Sequence, residues 1–230
     1  MNMTGNTILI TGAGSGIGLA LAEEFARMDN QVIVAARSPE KLKAAQQRGL
    51  ATISADVSDS AGIQALATRV ILEFPQTNVV VHNAAVSRRE DLVRGGNPNV
   101  QEETVATNLL GPMRLTTALM PHLLRQRSGA ILIISSGLAF VPSAFVPTYS
   151  ATKAALHSYA QSLRFQLRDT PIRVIEIAPP YVQTELGGRS QATDPNAMPL
   201  RDFISEVMQV LGSANVSRAQ ADWASARRPS

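Results

Sequence analysis

A short β-rich run at residues 7–11 leads straight into Gly12-Ala13-Gly14-Ser15-Gly16-Ile17-Gly18, after which Leu19, Ala20, Leu21, Ala22 and Phe25 set out an amphipathic helix. A strand, a glycine turn and a helix in so few residues constrain the fold more than any other stretch of the chain. Glycines in that turn let the backbone approach a diphosphate, whose charge then meets unpaired N–H groups and the positive end of the helix. The spacing is Gly-x-x-x-Gly-x-Gly; it is not Gly-x-Gly-x-x-Gly, because position 17 is Ile.

The same alternation continues. Strands are expected at 31–35, 51–55, 79–81, 130–134 and 172–177, and helices at 39–48, 60–74, about 101–126, about 149–167 and 200–211. Pro112 removes a backbone donor inside the fourth of these helices and is expected to bend it. Strands that alternate with helices at this spacing build a parallel sheet with right-handed crossovers, and ligands of such sheets lie beyond the carboxyl ends of the strands. At 230 residues with 45% hydrophobic side chains, a single domain over 1–230 is expected, with a substrate loop and short helix at 185–212 and a polar tail at 213–230.

Net charge is only +3 and the cations are scattered, apart from pairs such as Arg88-Arg89 and Arg227-Arg228, so no nucleic-acid partner is expected. The absence of Cys and the wide separation of the three His residues speak against a metal site. No apolar run approaches the roughly 20 residues of a membrane span, and the first one lacks the form of a signal peptide. A cytoplasmic protein with no membrane partner is the expectation.

The end of the second strand reads Ala36-Arg37-Ser38. A carboxylate there would take the 2'-hydroxyl of an NAD ribose, whereas an Arg accepts a 2'-phosphate, so Arg37 points to NADP(H) in preference to NAD(H). A second cation inside the glycine turn would strengthen that reading, but Ser15 occupies the position. Asp56 and Val57 follow the third strand and Asn83 and Ala84 the fourth, where they would flank an adenosine.

Tyr149 and Lys153 stand four residues apart at the head of a helical segment and share its face. A phenol has an ordinary pKa of about 10. A neighbouring ammonium and the positive helix end would stabilise the phenolate, making the pair a candidate general acid/base. Asn108, just before Pro112, could hold a water that the freed backbone also needs. The apolar loop 137–148 reads as one wall of a substrate pocket, and 185–199 as a candidate lid. Leu138, Val141, Tyr181 and Leu186 suggest a small, partly apolar substrate that is not highly charged.

Taken together, Thr11 to Gly18, Asn83-Ala84-Ala85, Asn108, Ser136, Tyr149-x-x-x-Lys153 and Pro179-x-x-Val182-x-Thr184 resemble the short-chain dehydrogenase/reductase family over residues 7 to about 184. The resemblance implies a Rossmann-type, doubly wound, three-layer α/β fold. It also implies that Tyr149 is the acid/base, Lys153 lowers its pKa and binds ribose, Ser136 holds the substrate oxygen, and Asn108 anchors a water. Gly12, Ser15, Gly16, Ile17 and Gly18 would wrap the diphosphate, and Pro179, Val182 and Thr184 would meet the nicotinamide end. Hydride transfer with that set needs no metal.

Ala85 and Pro180 stand where the family usually has Gly. The Pro-Pro form is similar to a branch of bacterial oxidoreductases associated with teichoic-acid D-alanylation. Six strands and a loose tail are expected, with a homodimer through the two long helices, about 101–126 and 149–167. The leading expectation is an NADP(H)-dependent carbonyl reductase or alcohol dehydrogenase. The alternatives are a carrier-linked 3-ketoacyl reductase, in which Arg125 and Arg127 could meet an acidic carrier, and a non-catalytic dinucleotide sensor or scaffold.

Overall fold

A computed structural model describes residues 2–213; the expected polar tail lies outside them except for Ser213. Six parallel strands run in the order β3-β2-β1-β4-β5-β6. They are β1 (Thr7–Thr11), β2 (Gln31–Ala36), β3 (Ala51–Ser54), β4 (Thr77–His82), β5 (Gly129–Ile134) and β6 (Ile172–Ile177). Every named strand pair is parallel. This is the expected doubly wound Rossmann-type sheet, and its order reverses between β1 and β4.

The helices are α1 (Gly16–Arg27), α2 (Pro39–Gln47), α3 (Ser60–Glu73), α4 (Pro98–Val105), α5 (Gly111–Leu123), α6 (Pro147–Gln166) and α7 (Leu200–Gly212). Two apolar layers result, one on each face of the sheet. Ile8, Ile10, Val32 and Val34 pack with Phe25 of α1 and Phe203 of α7, while Leu9, Ile33, Val80 and Ile131 pack with Leu66 of α3, Leu119 of α5 and Leu156 of α6. Successive residues of a strand thus feed opposite layers. That is why the strands read as unbroken apolar runs.

The long helix expected at about 101–126 is two helices, α4 and α5, joined by a π turn at Ala106–Leu110. Pro112 falls in the first turn of α5, and the Gly111 N–H reaches back to the Ala106 carbonyl. The widened turn absorbs the donor that proline lacks, so the helix is interrupted where a bend was expected. A tight approach holds the interruption against the sheet: a Cβ on Gly111 would lie 2.6 Å from the Val57 carbonyl oxygen.

His82 closes β4 with its ring fully buried and its Nε2 2.8 Å from Thr116 Oγ1 on α5. Burial pushes its pKa down to about 4, so the ring stays neutral in the fold while an unfolded chain binds a proton near pH 6.5. Stability is therefore complete above about pH 6.5 and is lost as pH falls toward 4, by roughly 3 kcal/mol from this group. Urea unfolding from pH 7 to pH 4 should show a shallower loss for His82→Gln, which keeps a hydrogen-bonding group toward Thr116. Equal slopes for the two proteins would remove His82 as a source of acid sensitivity.

Candidate active site

All six strand ends point their loops to one edge of the sheet, and a single cavity of about 790 Å³ runs along that edge. One end is lined by Gly12, Gly14, Ser15, Gly16, Ile17, Arg37, Asp56 and Val57, the middle by Asn83 and Ala84, and the other end by Ser136, Tyr149, Lys153, Pro179, Val182 and Thr184. Loops from all six strands thus meet in one groove. Of the residues singled out in the sequence, Gly18, Asn108 and Val141 do not line it.

The glycine turn is shaped for close approach. Gly12 and Gly16 have φ of 67° and 57°, in the left-handed region that a side chain disfavours. A Cβ on Gly12 would sit 2.5 Å from Ala84 Cα. Thr11 pins the two loops together: its Oγ1 accepts from the N–H groups of Asn83 (3.2 Å) and Ala84 (3.3 Å), and Asn83 Nδ2 donates to the carbonyls of Thr11 (3.0 Å) and Gly12 (3.1 Å). Gly18 belongs to this joint, since its missing Cβ leaves room for the Asn83 amide. The start of α1 has neither a side-chain cap nor an acidic residue in its first turn. Its N–H groups and positive end are thus left for an anion. Thr107 also lines the cavity, and its buried Oγ1 has no hydrogen-bond partner among the described residues. These features fit a dinucleotide.

At the β2 end, Arg37 lies 3.5 Å from Asp56. Burial works against the Asp56 carboxylate, but hydrogen bonds from Ser58 and then the Arg37 charge hold its pKa below the ordinary value. Lys41 is one residue that sequence reasoning missed. It comes from the first turn of α2, and its Nζ donates to Ser15 Oγ at 3.0 Å. The second cation sought inside the glycine turn thus reaches it from the next helix; its position three residues after the Ser38 cap was the available signal.

Tyr149 sits in the first turn of α6 and is 7% exposed. Burial pushes its phenol up to about 12, against a smaller lowering from the Ser136 hydroxyl. The lowering by Lys153 expected from spacing is not what dominates among the protein groups themselves. Lys153 is 2% exposed, its Nζ donates to the Ile134 carbonyl at 2.8 Å, and it lies 5.5 Å from the centre of the Tyr149 ring. Burial brings its pKa down to about 8.

Asn108 lies in the π turn and is fully buried. Its Oδ1 accepts from Val86 N at 2.8 Å, and its Nδ2 donates to Val86 O at 2.9 Å and Thr152 Oγ1 at 3.3 Å. It ties the exit of β4 to α6 from behind the cavity wall.

On the substrate side, Leu138, Phe145, Val146, Tyr181 and Leu186 line the cavity, whereas Val141 is 72% exposed and does not. The loop at 185–199 carries a short 3-10 turn, Arg189–Thr193. Gln191 fastens it by donating to Val182 O at 2.8 Å and Thr184 Oγ1 at 3.2 Å. Arg88 and Arg89 also line the cavity.

Comparison with known proteins decides the family. Residues 6–195 match the short chain dehydrogenase family. The chain belongs to it and is an oxidoreductase. An uncharacterized oxidoreductase of Bacillus subtilis, DltE, is 41% identical over 209 residues, covering 90% of this chain and 82% of that protein. Among solved structures, a 3-ketoacyl-(acyl-carrier-protein) reductase of Brucella melitensis complexed with NADH is 25% identical with a TM-score of 0.83, covering 95% of each chain. A short-chain dehydrogenase of Shigella flexneri complexed with NADP is 27% identical with a TM-score of 0.81, covering 92% of this chain and 93% of that one.

Burial makes the Lys153 ammonium costly to the fold. Below about pH 8 the fold holds Lys153 charged; as pH rises toward 10.5, the folded chain releases a proton that the unfolded chain keeps, and stability increases. Lys153→Met should therefore raise stability at pH 7 by about 2 kcal/mol, a gap that closes between pH 8 and 10.5 in urea unfolding. A variant less stable than the parent at pH 7 would contradict this.

Proposed function

We propose that this oxidoreductase is an NADPH-dependent carbonyl reductase, or works in reverse as an alcohol dehydrogenase, on a small, partly apolar substrate. One observation carries the reading: a buried phenol, a serine hydroxyl and a buried ammonium meet at the far end of a groove that fits a dinucleotide. NADPH, when bound, supplies the hydride to the carbonyl carbon. The Tyr149 phenol, held further in its neutral form by burial, donates its proton to the carbonyl oxygen as negative charge develops there. Ser136 holds that oxygen through its hydroxyl. Lys153, near the ring face, offsets the phenolate that remains. Asn108 is a positioning residue that keeps α6 in register with β4.

Arg37 and Lys41 support NADPH over NADH. Their guanidinium and ammonium groups border the cavity where β2 ends, at the place a ribose-binding carboxylate would take in an NAD enzyme. Asp56 offsets part of the Arg37 charge from 3.5 Å without supplying that carboxylate itself.

A carrier-linked 3-ketoacyl reductase is the second reading, favoured by the Brucella melitensis likeness. Turnover of carrier-linked but not free substrates would select it. A homodimer through α5 and α6 is the proposed assembly. Ala151, Ala154, Ser158, Ser162 and Phe165 leave an exposed face of mostly small side chains on α6 that allows close helix approach. Among the described residues no helix is long and apolar enough to cross a membrane, and a cytoplasmic location is proposed with the rest.

A carbonyl panel with NADPH tests the reaction. Tyr149→Phe should lower turnover of any reduced compound by about 10²–10⁴-fold, with NADPH affinity within a few-fold of the parent by cofactor fluorescence. Full activity in that variant would remove the proton donor. Firm NADPH binding with no carbonyl ever reduced would favour a sensor or scaffold.

A further inference from the structure

Two guanidinium groups at the substrate end of the cavity take no part in the chemistry above. Arg88 and Arg89 belong to the loop that leaves β4, and both line the cavity together with Ser136 and Tyr149. Their side chains are exposed. Their backbone, however, is held. The Glu90 N–H donates to the Phe145 carbonyl at 3.0 Å. The Glu90 carboxylate accepts from Thr148 N at 3.0 Å and Thr148 Oγ1 at 2.8 Å, and Gln101 donates to it at 3.3 Å.

Thr148 immediately precedes Tyr149 in the first turn of α6, and the residue at the N-cap position of that helix offers no side-chain hydrogen bond. Glu90 therefore supplies the cap from a distant loop, and its negative charge suits the positive helix end. The latch fixes the arginine pair relative to the proton donor. Arg89 is oriented further by its guanidinium lying 4.4 Å from the centre of the Phe145 ring.

Neither arginine is paired with a carboxylate of the described residues. Among the described residues no carboxylate lies within 4.0 Å of either guanidinium; Asp91 pairs with Arg94, and Glu90 is occupied by Thr148. Glu185 also lines the cavity but makes no ion pair with them. Two planar, always-charged groups with no carboxylate partner among the described residues, beside a carbonyl-reducing centre, are matched by a carboxylate, which a guanidinium binds through paired N–H donors.

We propose that the substrate is a free oxo acid (in reverse, a hydroxy acid), whose carboxylate is held by Arg88 and Arg89 while its carbonyl oxygen meets Tyr149 and Ser136. This rests on the carbonyl-reductase reading and names its substrate class. The apolar wall from Leu138 and Val146 then receives the carbon chain between the two polar groups.

The test compares short oxo acids with their primary amides, using NADPH-loaded wild type, Arg88→Ala, Arg89→Ala and the double variant. The acid should show kcat/KM about ten-fold or more above its amide. In the double variant the acid-to-amide ratio should fall to about one, through KM for the acid. Arg88→Lys and Arg89→Lys, which keep charge without the fork, should restore part of it. Amides used as well as acids, or a preference that survives in the double variant, would overturn the inference and leave the reductase reading standing.

If nothing turns over, fluorescence titration of the NADPH-loaded protein with the acid separates the two ideas. Binding that is lost in the double variant upholds the anion site and removes the reductase. Absence of binding overturns the site as well.

Discussion

The joint between the ends of β1 and β4 is the constraint on which the rest depends. The strand order reverses there, so the chain after β1 and the chain after β4 leave the sheet in opposite directions and open a crevice. The crevice is narrow because Gly12 brings its backbone against Ala84, and it stays narrow because Asn83 donates two hydrogen bonds to Thr11 across it. A side chain at Gly12, or an Asn83 unable to donate, would part the loops and spoil the groove far from any reacting atom. From this joint the first loop leads to the bare N-terminus of α1, and the second to the Arg88–Glu90 segment that caps α6.

At the Tyr149–Lys153 end of the groove, burial governs both ionisable groups. Burial raises the Tyr149 phenol to about 12 and depresses the Lys153 ammonium to about 8, so desolvation drives both groups toward neutrality. A raised phenol remains a stocked proton donor at neutral pH. A buried ammonium with the Ile134 carbonyl as its protein partner is ready to stabilise negative charge on the phenol or hydroxyl groups beside it. The fold supports this cost with two continuous apolar layers, and the site's second-tier residues, Asn108 and Glu90, work on the backbone around α6.

The sheet and its helices were legible in the sequence because the strands are short unbroken apolar runs bounded by glycine and polar residues, and strand ends moved by no more than two residues. The region around Pro112 was not legible. Proline announces a missing donor, but whether a helix bends or takes in a π turn depends on what packs against it, here the Val57 carbonyl beside Gly111. The ionisation of Tyr149 and Lys153 escaped for a similar reason: their spacing shows that they share a face, while burial, which governs both, is a tertiary property. Lys41, Thr107, Arg88 and Arg89 reach the cavity from segments distant in the chain, and a linear reading had only Arg37 to suggest charge there. Val141 was misjudged because an apolar loop residue reads the same whether it lines a cavity or faces solvent.

The central claim is that this groove takes a 2'-phosphorylated dinucleotide across the β1/β4 joint, with Arg37 and Lys41 at its phosphate end. The most direct measurement is titration of the purified protein with NADPH and with NADH, following cofactor fluorescence and raising salt in a second series. The account predicts tight NADPH binding, NADH weaker by about ten-fold or more, and a preference that shrinks as salt screens the two partly exposed cations. Equal affinity for the two cofactors, or tighter NADH, would contradict it.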